Sequence, residues 1–253
     1  MSGSSQYEVR AKSQNLRSLL TFPYDFERLR VSFSKKLNSG SLHFSASTPI
    51  SRNRKISKDY DWLNNQLTVF SSSDSNLDKY FSAHIKWMSN QIDRYRFSSK
   101  LSYQKLDINW ANTWQHDYVK NVENTFVGRT LEYKQDFFLY DLSLHFLIWE
   151  SNKSTIEMGA KFILGLVQSR DDHFLRDFYA LQSSVVTGFG ANIKATYELG
   201  FNSSLSFGLG CETLKGNESD MDYYTSSDFK FSSYPSQYID ERKILKITYT
   251  QKF

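Results

Sequence analysis

Two short acidic clusters contain the side chains best suited to chemistry. Asp59 and Asp61 lie within the sequence KDYDW, and Asp171 and His173 lie within SRDDH. Residues two apart on an extended strand point to the same face, so Asp171 would orient the His173 imidazole and raise its basicity, and Asp59 and Asp61 would also share a face. Two carboxylates opposite an Asp-His pair could hold and deprotonate a water. This pattern favours peptide hydrolysis without a covalent intermediate.

Taken alone, each cluster is a common pattern. A second Asp-x-Asp occurs at Asp220 and Asp222, and a solvated loop would explain either one. Asp171 and His173 could also ligate a metal, but no third and fourth ligand follows with a recognisable spacing. The single Cys211 excludes an intramolecular disulfide and a cysteine metal cluster.

The elements that must position these residues are β-strands with alternating apolar side chains. At the carboxy terminus, Leu245, Ile247, Tyr249, Gln251 and Phe253 share one parity, and polar residues occupy most of the other. The same two-fold pattern recurs along the chain in nine clear strands, with a tenth drawn from residues 4–12. We therefore predict a single domain over residues 1–253, an all-β, ten-stranded antiparallel transmembrane barrel.

The spacing between strands alternates between short and long. Short turns are predicted at 38–40, near Asn90, at 151–154 and at 200–203. Long polar loops are predicted at 51–76, 111–127, 169–178 and 215–237, and both acidic clusters fall in such loops. This asymmetry is typical of outer-membrane barrels and places the clusters at the extracellular rim. One-residue slips in the pattern after Phe26 and after Tyr103 indicate β-bulges.

Composition narrows the function classes. The net charge of +4 arises without a basic block, so we expect no nucleic-acid partner. A mean hydropathy of -0.54 is compatible with a barrel, because alternate residues of its strands are polar. A spanning helix would need an unbroken apolar run, which this sequence lacks.

The amino-terminal sequence lacks the apolar segment of a secretory signal, because residues 1–5 are followed directly by polar sequence. We therefore expect the first strand to be incomplete, with native sequence upstream lost or replaced. A soluble antiparallel barrel or sandwich is the alternative fold.

The order and spacing of these segments resemble the omptin family of outer-membrane proteases over nearly the whole chain. KDYDWL is similar to the family segment with paired aspartates, and Asp171-Asp-His173 is similar to its Asp-Glu-His. Tyr133-Lys-Gln135 with Phe137 resembles the family's Tyr-Lys-Gln-x-Phe. The resemblance implies that His173 is the general base and that Asp171 orients it. It also implies that Asp59 and Asp61 position the attacking water and stabilise the tetrahedral intermediate.

Several positions depart from the family pattern. On its lipopolysaccharide-binding strand, the family carries an acidic residue where this chain has Lys105 and a basic residue where it has Asp107. On a neighbouring strand, the family carries a basic residue where this chain has Asp136. We therefore expect no cofactor and a weakened dependence on lipopolysaccharide. Omptins cleave between basic residues with acidic pockets. Here Ser169 stands where an acid is expected and Glu8 matches the other pocket acid, so a changed preference is expected.

These observations predict a cell-surface endopeptidase of the bacterial outer membrane. Its expected partners are outer-membrane lipid, including lipopolysaccharide, and protein or peptide substrates, and a monomer is expected. A non-catalytic adhesin or interaction barrel is the alternative. A solute channel is disfavoured, because ten strands leave little lumen once side chains fill it.

Overall fold

The computed structural model describes residues 1–11, 15–200 and 202–251. Its regular structure is β-strand throughout, and no helix in these ranges is long and apolar enough to cross a membrane. The strands are β1 (Ser2–Ala11), β2 (Leu16–Leu37), β3 (Gly40–Asn53), β4 (Lys55–Leu63), β5 (Gln66–Ser89), β6 (Tyr95–Asp117), β7 (Val122–Glu150), β8 (Ser154–His173), β9 (Phe178–Gly200), β10 (Ser203–Gly216), β11 (Ser219–Thr225) and β12 (Lys230–Gln251).

The strands form one closed antiparallel ring. β3 and β4 are successive parts of one ring position, because both pair with β2 and β5, and β10 with β11 likewise fills the position between β9 and β12. β1 pairs with both β2 and β12 and closes the ring. The twelve strands therefore occupy ten positions, which confirms the predicted fold class. Lys12, the last residue of the predicted first strand, lies outside the described residues.

The short turns at 38–40, near Asn90 and at 151–154 are confirmed, whereas Phe201 of the turn predicted at 200–203 lies outside the described residues. The four long loops are wrong, because strands continue through most of each segment. The segment 51–76 holds the end of β3, all of β4 and the start of β5, and the β4–β5 hairpin turns tightly at Asn64 and Asn65, whose φ angles are 50° and 63°. Polar side chains occupy both faces of these extensions. Ser71 and Ser73, for example, are buried inside the barrel. The apolar alternation used to recognise strands is therefore missing there.

The apolar parity changes sides along the longer strands. In β2, Phe22 and Phe26 are fully buried inside the barrel, whereas Val31 and Phe33 are 69% and 67% exposed on its outside. A register shift does lie near Phe26, but the extra residue is on β3. After Tyr103 the β6–β7 register runs unbroken, and the β5–β6 register shifts opposite Asp107 and Ile108, where the extra residue, Asp78, is on β5. The apolar side chains of these strands change from the outer face of the barrel to its interior.

An outward apolar belt surrounds the end of the barrel with short turns. Leu245, Ile247 and Tyr249 of the terminal strand are 66%, 64% and 62% exposed, as their alternation predicts. Similar outward rows occur on other strands of the ring, including Phe138 and Leu142 of β7. The final Lys252 and Phe253 lie outside the described residues. The strand extensions rise beyond this belt at the opposite end, here termed the long-hairpin end.

An aromatic layer fills the barrel interior beneath the long-hairpin end. Phe22 of β2 stacks on Tyr133 of β7 with ring centroids 3.9 Å apart, and Tyr7 of β1 contacts both rings. Ser5 Oγ of β1 donates a hydrogen bond to Gln135 Oε1 of β7 at 3.0 Å. The contacts of Tyr133 and Gln135 with β1 and β2 join strands that are not neighbours in the ring. The layer therefore supports the side chains above it as a rigid floor.

Candidate active site

Asp171 and His173 form a hydrogen-bonded pair at the end of β8. Both lie on the inward parity, and His173 Nε2 is 2.9 Å from Asp171 Oδ2. The carboxylate is almost fully buried, and the imidazole stacks on the Phe178 ring, with centroids 4.3 Å apart. The imidazole is therefore held from two directions, by its carboxylate partner and by an aromatic face.

Tyr7 provides a second contact to the same carboxylate. Its hydroxyl donates a short hydrogen bond to Asp171 Oδ2, the oxygen that also contacts His173. Tyr7 is itself buried against Phe22 and Tyr133. The sequence interpretation did not include Tyr7. The alternation in β1 indicates that the Tyr7 side chain points inward. Its contact with β8, however, depends on the curvature of the closed ring.

Asp59 and Asp61 lie on the inward face of β4 rather than in a loop. Asp59 is buried, and Ser18 Oγ donates to its Oδ1 at 3.5 Å. Burial is the largest cause that raises the pKa of Asp59 well above its usual range; the charges of Asp61 and Asp171 add to the rise, and Arg176 opposes it. A raised pKa favours a protonated carboxyl, which can donate a hydrogen bond. Asp61 is half-buried.

The two clusters lie on well-separated walls of one cleft. β5, β6 and β7 stand between β4 and β8 in the ring. The side chains of Asp59 and His173 nevertheless line the same cavity, which has a volume of about 180 Å³. That volume corresponds to about six water molecules, at about 30 Å³ each in the liquid. The cleft can therefore hold a water beside the imidazole.

Tyr223 of β11 is a further cleft residue that sequence reasoning missed. Its ring contacts Phe178 at a centroid distance of 5.8 Å, next to His173. Burial raises the pKa of Tyr223, and the negative charges of Asp171, Asp61 and Asp59 raise it further. The hydroxyl therefore remains protonated beside all three carboxylates. The sequence predicts a loop over residues 215–237, and a loop does not indicate the direction in which the Tyr223 side chain points.

The structure places the two predicted pocket residues differently. Glu8 lies on the outward parity of β1, where its Oε1 is 2.6 Å from Arg10 Nε and 2.7 Å from Arg17 Nε. Burial opposes ionisation, but these two arginines outweigh it and lower the pKa of Glu8. Glu8 therefore does not face the cleft. Ser169 is buried on the inward face of β8, two residues below Asp171, and provides no charge.

The outer wall near the predicted lipopolysaccharide strand has paired charges. Tyr103 donates a short hydrogen bond to Asp136. Lys134 Nζ is 2.7 Å from Glu132 Oε2 and 3.2 Å from Asp172 Oδ2. Lys134 thus already pairs with carboxylates, as do Arg129 with Glu132 and Arg170 with Asp172. Within the described ranges, no group of three or more His, Cys, Asp or Glu side chains is arranged to hold a metal ion.

Comparison with known proteins shows the fold. No family model and no curated protein sequence matches this chain. Among solved structures, the outer-membrane protease OmpT of Escherichia coli is 12% identical in sequence to this chain and superposes with a TM-score of 0.75. The match covers 97% of this chain and 92% of the OmpT chain. The outer-membrane protein OprG of Pseudomonas aeruginosa is 10% identical in sequence and gives a TM-score of 0.37, with 99% of this chain and 97% of the OprG chain covered. The chain therefore has an omptin-like outer-membrane β-barrel fold.

Proposed function

We propose that this chain is a cell-surface endopeptidase that hydrolyses peptide bonds in the cleft at its long-hairpin end. The observation that carries the proposal is the pairing of His173 with Asp171 beside a cavity that Asp59 also lines. A base, an orienting carboxylate and an opposing carboxyl are the groups that water activation requires. The fold shared with a protease supports the same conclusion.

The proposed chemistry begins with a water held between His173 and Asp61. As its oxygen bonds to the substrate carbonyl carbon, one water proton passes to the ring nitrogen of His173 that does not contact Asp171. The carbonyl π electrons move to the oxygen, and protonated Asp59 donates a hydrogen bond to that oxyanion. The oxyanion then reforms the carbonyl and breaks the C–N bond. His173 returns its proton to the leaving nitrogen.

Asp171 stabilises the imidazolium that forms during this step. Its carboxylate contacts Nε2, so it holds the ring orientation and offsets the developing positive charge. Tyr7 holds the carboxylate in turn. The proposed reaction needs no cofactor and no covalent intermediate, because every proton moves between water, His173 and the leaving group.

We further propose that the apolar belt spans the bacterial outer membrane, with the cleft on the extracellular side. Outward side chains such as Phe33 and Leu245 suit contact with acyl chains. Because Lys134 and its neighbours pair with carboxylates, cleavage would depend only weakly on lipopolysaccharide. Protein or peptide chains at the cell surface would be the substrates.

The proposal is tested with the refolded barrel and a diverse peptide library, with and without lipopolysaccharide, by mass spectrometry of the products. We expect internal cleavage in both samples, with a similar set of products. Absence of cleavage under both conditions would contradict the proposal. Cleavage confined to the sample with lipopolysaccharide would support the peptidase but overturn the weak dependence.

One observation favours the alternative, a non-catalytic interaction barrel. An outward aromatic ladder runs over β4 to β6 beyond the lipid belt. Its neighbouring rings are Trp62 with Tyr60 at 5.6 Å, Tyr60 with Phe70 at 5.0 Å and Phe70 with Trp114 at 6.0 Å between centroids. Arg17 lies 4.5 Å from the Trp62 ring centroid. Aromatic and arginine side chains are typical of binding surfaces. If the barrel is an adhesin, Trp62→Ala would abolish surface binding and His173→Ala would not.

A further inference from the structure

The cavity beside His173 has the size and position of a substrate side-chain site. Its volume of about 180 Å³ suits one side chain rather than a peptide segment. The cavity opens next to both the proposed base and Asp59. Its walls combine apolar, uncharged polar and ionisable groups, among them Asp59, Trp110, Thr113, Leu131, His173 and Arg176.

The uncharged polar wall groups already have hydrogen-bond partners, except Trp110 Nε1, which is buried without a partner among the described residues. Thr113 Oγ1 lies 2.7 Å from Ser73 Oγ and 2.6 Å from Thr130 Oγ1. Gln115 Nε2 donates to Ser71 Oγ at 3.3 Å. These side chains therefore form a satisfied wall, and a ligand gains little by competing for them.

Arg176 differs from these groups. It lies in the turn between β8 and β9, where its backbone N–H donates to the His173 carbonyl at 3.3 Å. Its guanidinium has no ion-pair partner within residues 1–11, 15–200 and 202–251. Its positive charge acts on Asp59 and opposes the rise in the pKa of that carboxyl. The cavity wall thus contains an exposed cation whose guanidinium has no protein partner among the described residues.

Acidic groups that could pair with a basic substrate side chain are scarce here. Asp59 is the one carboxyl among the described residues that line the cavity, and its raised pKa favours the neutral form. Glu8 faces outward, and Ser169 is neutral. A lysine or arginine side chain would enter beside the like charge of Arg176, which disfavours it.

Resting on the proposed peptidase function, we propose that this cavity receives a substrate side chain ending in a carboxylate or carboxamide oxygen, which accepts hydrogen bonds from Arg176. Glutamate and glutamine fit this description, and their methylene groups would contact Trp110 and Leu131. Arg176 is then the residue that sets specificity, and basic side chains are rejected at this position.

The test uses peptides that are identical except for Glu, Gln, Ala or Lys at the residue flanking the cleaved bond. With the wild-type barrel we expect kcat/KM for Glu and Gln to exceed that for Lys by roughly tenfold, the size expected for one hydrogen bond to a charged group. Arg176→Gln should remove the preference of Glu over Ala, and Arg176→Glu should reverse the order of Glu and Lys. A wild-type preference for Lys, or a Glu-to-Lys ratio unchanged in both variants, would overturn the inference.

Arg170→Gln is the matched control. Arg170 belongs to the same strand end, but it faces outward, with Nε 2.8 Å from Asp172 Oδ1 and its guanidinium over the Tyr179 ring. Its substitution should leave the order of the four peptides unchanged. A shift equal to that of Arg176→Gln would mean that net charge rather than the cavity sets the preference.

A binding measurement separates this inference from the peptidase proposal. Fluorescently labelled versions of the four peptides are titrated against the His173→Ala barrel. Tighter binding of the Glu and Gln peptides than of the Lys peptide, lost in the double variant with Arg176→Gln, supports the cavity assignment even if the wild type cleaves nothing. Equal binding of all four would overturn the assignment, whether or not cleavage occurs.

Discussion

The hydroxyl of Tyr7, on the first strand, donates a hydrogen bond to Asp171 on the eighth, at the carboxylate oxygen that His173 also contacts. β9, β11 and β12 lie between the two strands on the shorter way around the ring. The contact therefore depends on ring closure and on the aromatic layer, which fixes the Tyr7 ring. It makes the first strand part of the proposed active site.

Tyr7→Phe should weaken catalysis without preventing folding. Losing a hydrogen bond to a charged group costs about 1.5–3 kcal/mol, so kcat/KM for a cleaved peptide should fall at least tenfold. Most of the loss should appear in kcat, because the carboxylate orients the base rather than the substrate. Steady-state kinetics on one peptide would measure both parameters.

Tyr238→Phe is the control for this substitution. Tyr238 is also fully buried inside the barrel, but its hydroxyl lies 3.5 Å from Ser5 Oγ and away from the cleft. We expect a comparable effect on unfolding and no change in kcat. Equal kinetic losses in the two variants would mean that Tyr7 acts through stability alone.

Asp59→Asn should change the pH dependence of stability and largely preserve activity. Folded Asp59 binds its proton more tightly than the unfolded chain does, because burial raises its pKa. The wild-type free energy of unfolding therefore falls as the pH rises above about 3.9, the usual aspartate value, until the folded carboxyl ionises. The Asp59→Asn variant has no titrating group at this position, so its free energy of unfolding does not fall in this way. Relative to wild type, it should become more stable between acidic and neutral pH, while peptide cleavage persists because the Asn amide can also donate a hydrogen bond to the oxyanion.

Denaturant unfolding in detergent micelles, followed by tryptophan fluorescence at several pH values, would measure this stability difference. Trp62, Trp110 and Trp114 lie in or near the cleft wall and should report on it. A stability difference that does not change with pH would contradict the assignment of a buried, protonated Asp59. Asp61→Asn serves as the less buried comparison on the same face of β4.

Glu8→Gln should leave peptide preference unchanged. The carboxylate is directed away from the cleft and pairs with Arg10 and Arg17, and exposed ion pairs of this kind contribute at most about 1 kcal/mol each. Relative kcat/KM values for Glu and Lys peptides should agree with wild type within about twofold. A selective change for the Lys peptide would return Glu8 to the substrate pocket.

The strand pattern predicted the closed barrel, because alternation survives wherever one face meets lipid. It failed at the long-hairpin end, where Ser71 and Ser73 are buried although their strand reads as polar. The shared face of Asp171 and His173 followed from spacing alone. The Tyr7 contact and the position of Tyr223 did not, because each depends on how distant strands meet across the closed ring. Glu8 points outward because it lies on the opposite parity of β1 from Tyr7, which the alternation alone could have shown.

The most direct test of the peptidase account compares wild type and His173→Ala on a peptide that the wild type cleaves. Without the general base, kcat/KM should fall by about 10²–10⁴-fold, with unchanged denaturant unfolding. His116→Ala is the control, since His116 lies on the outer wall, with Nδ1 3.3 Å from Glu123 Oε1. Cleavage by the His173→Ala barrel at the wild-type rate would contradict the account.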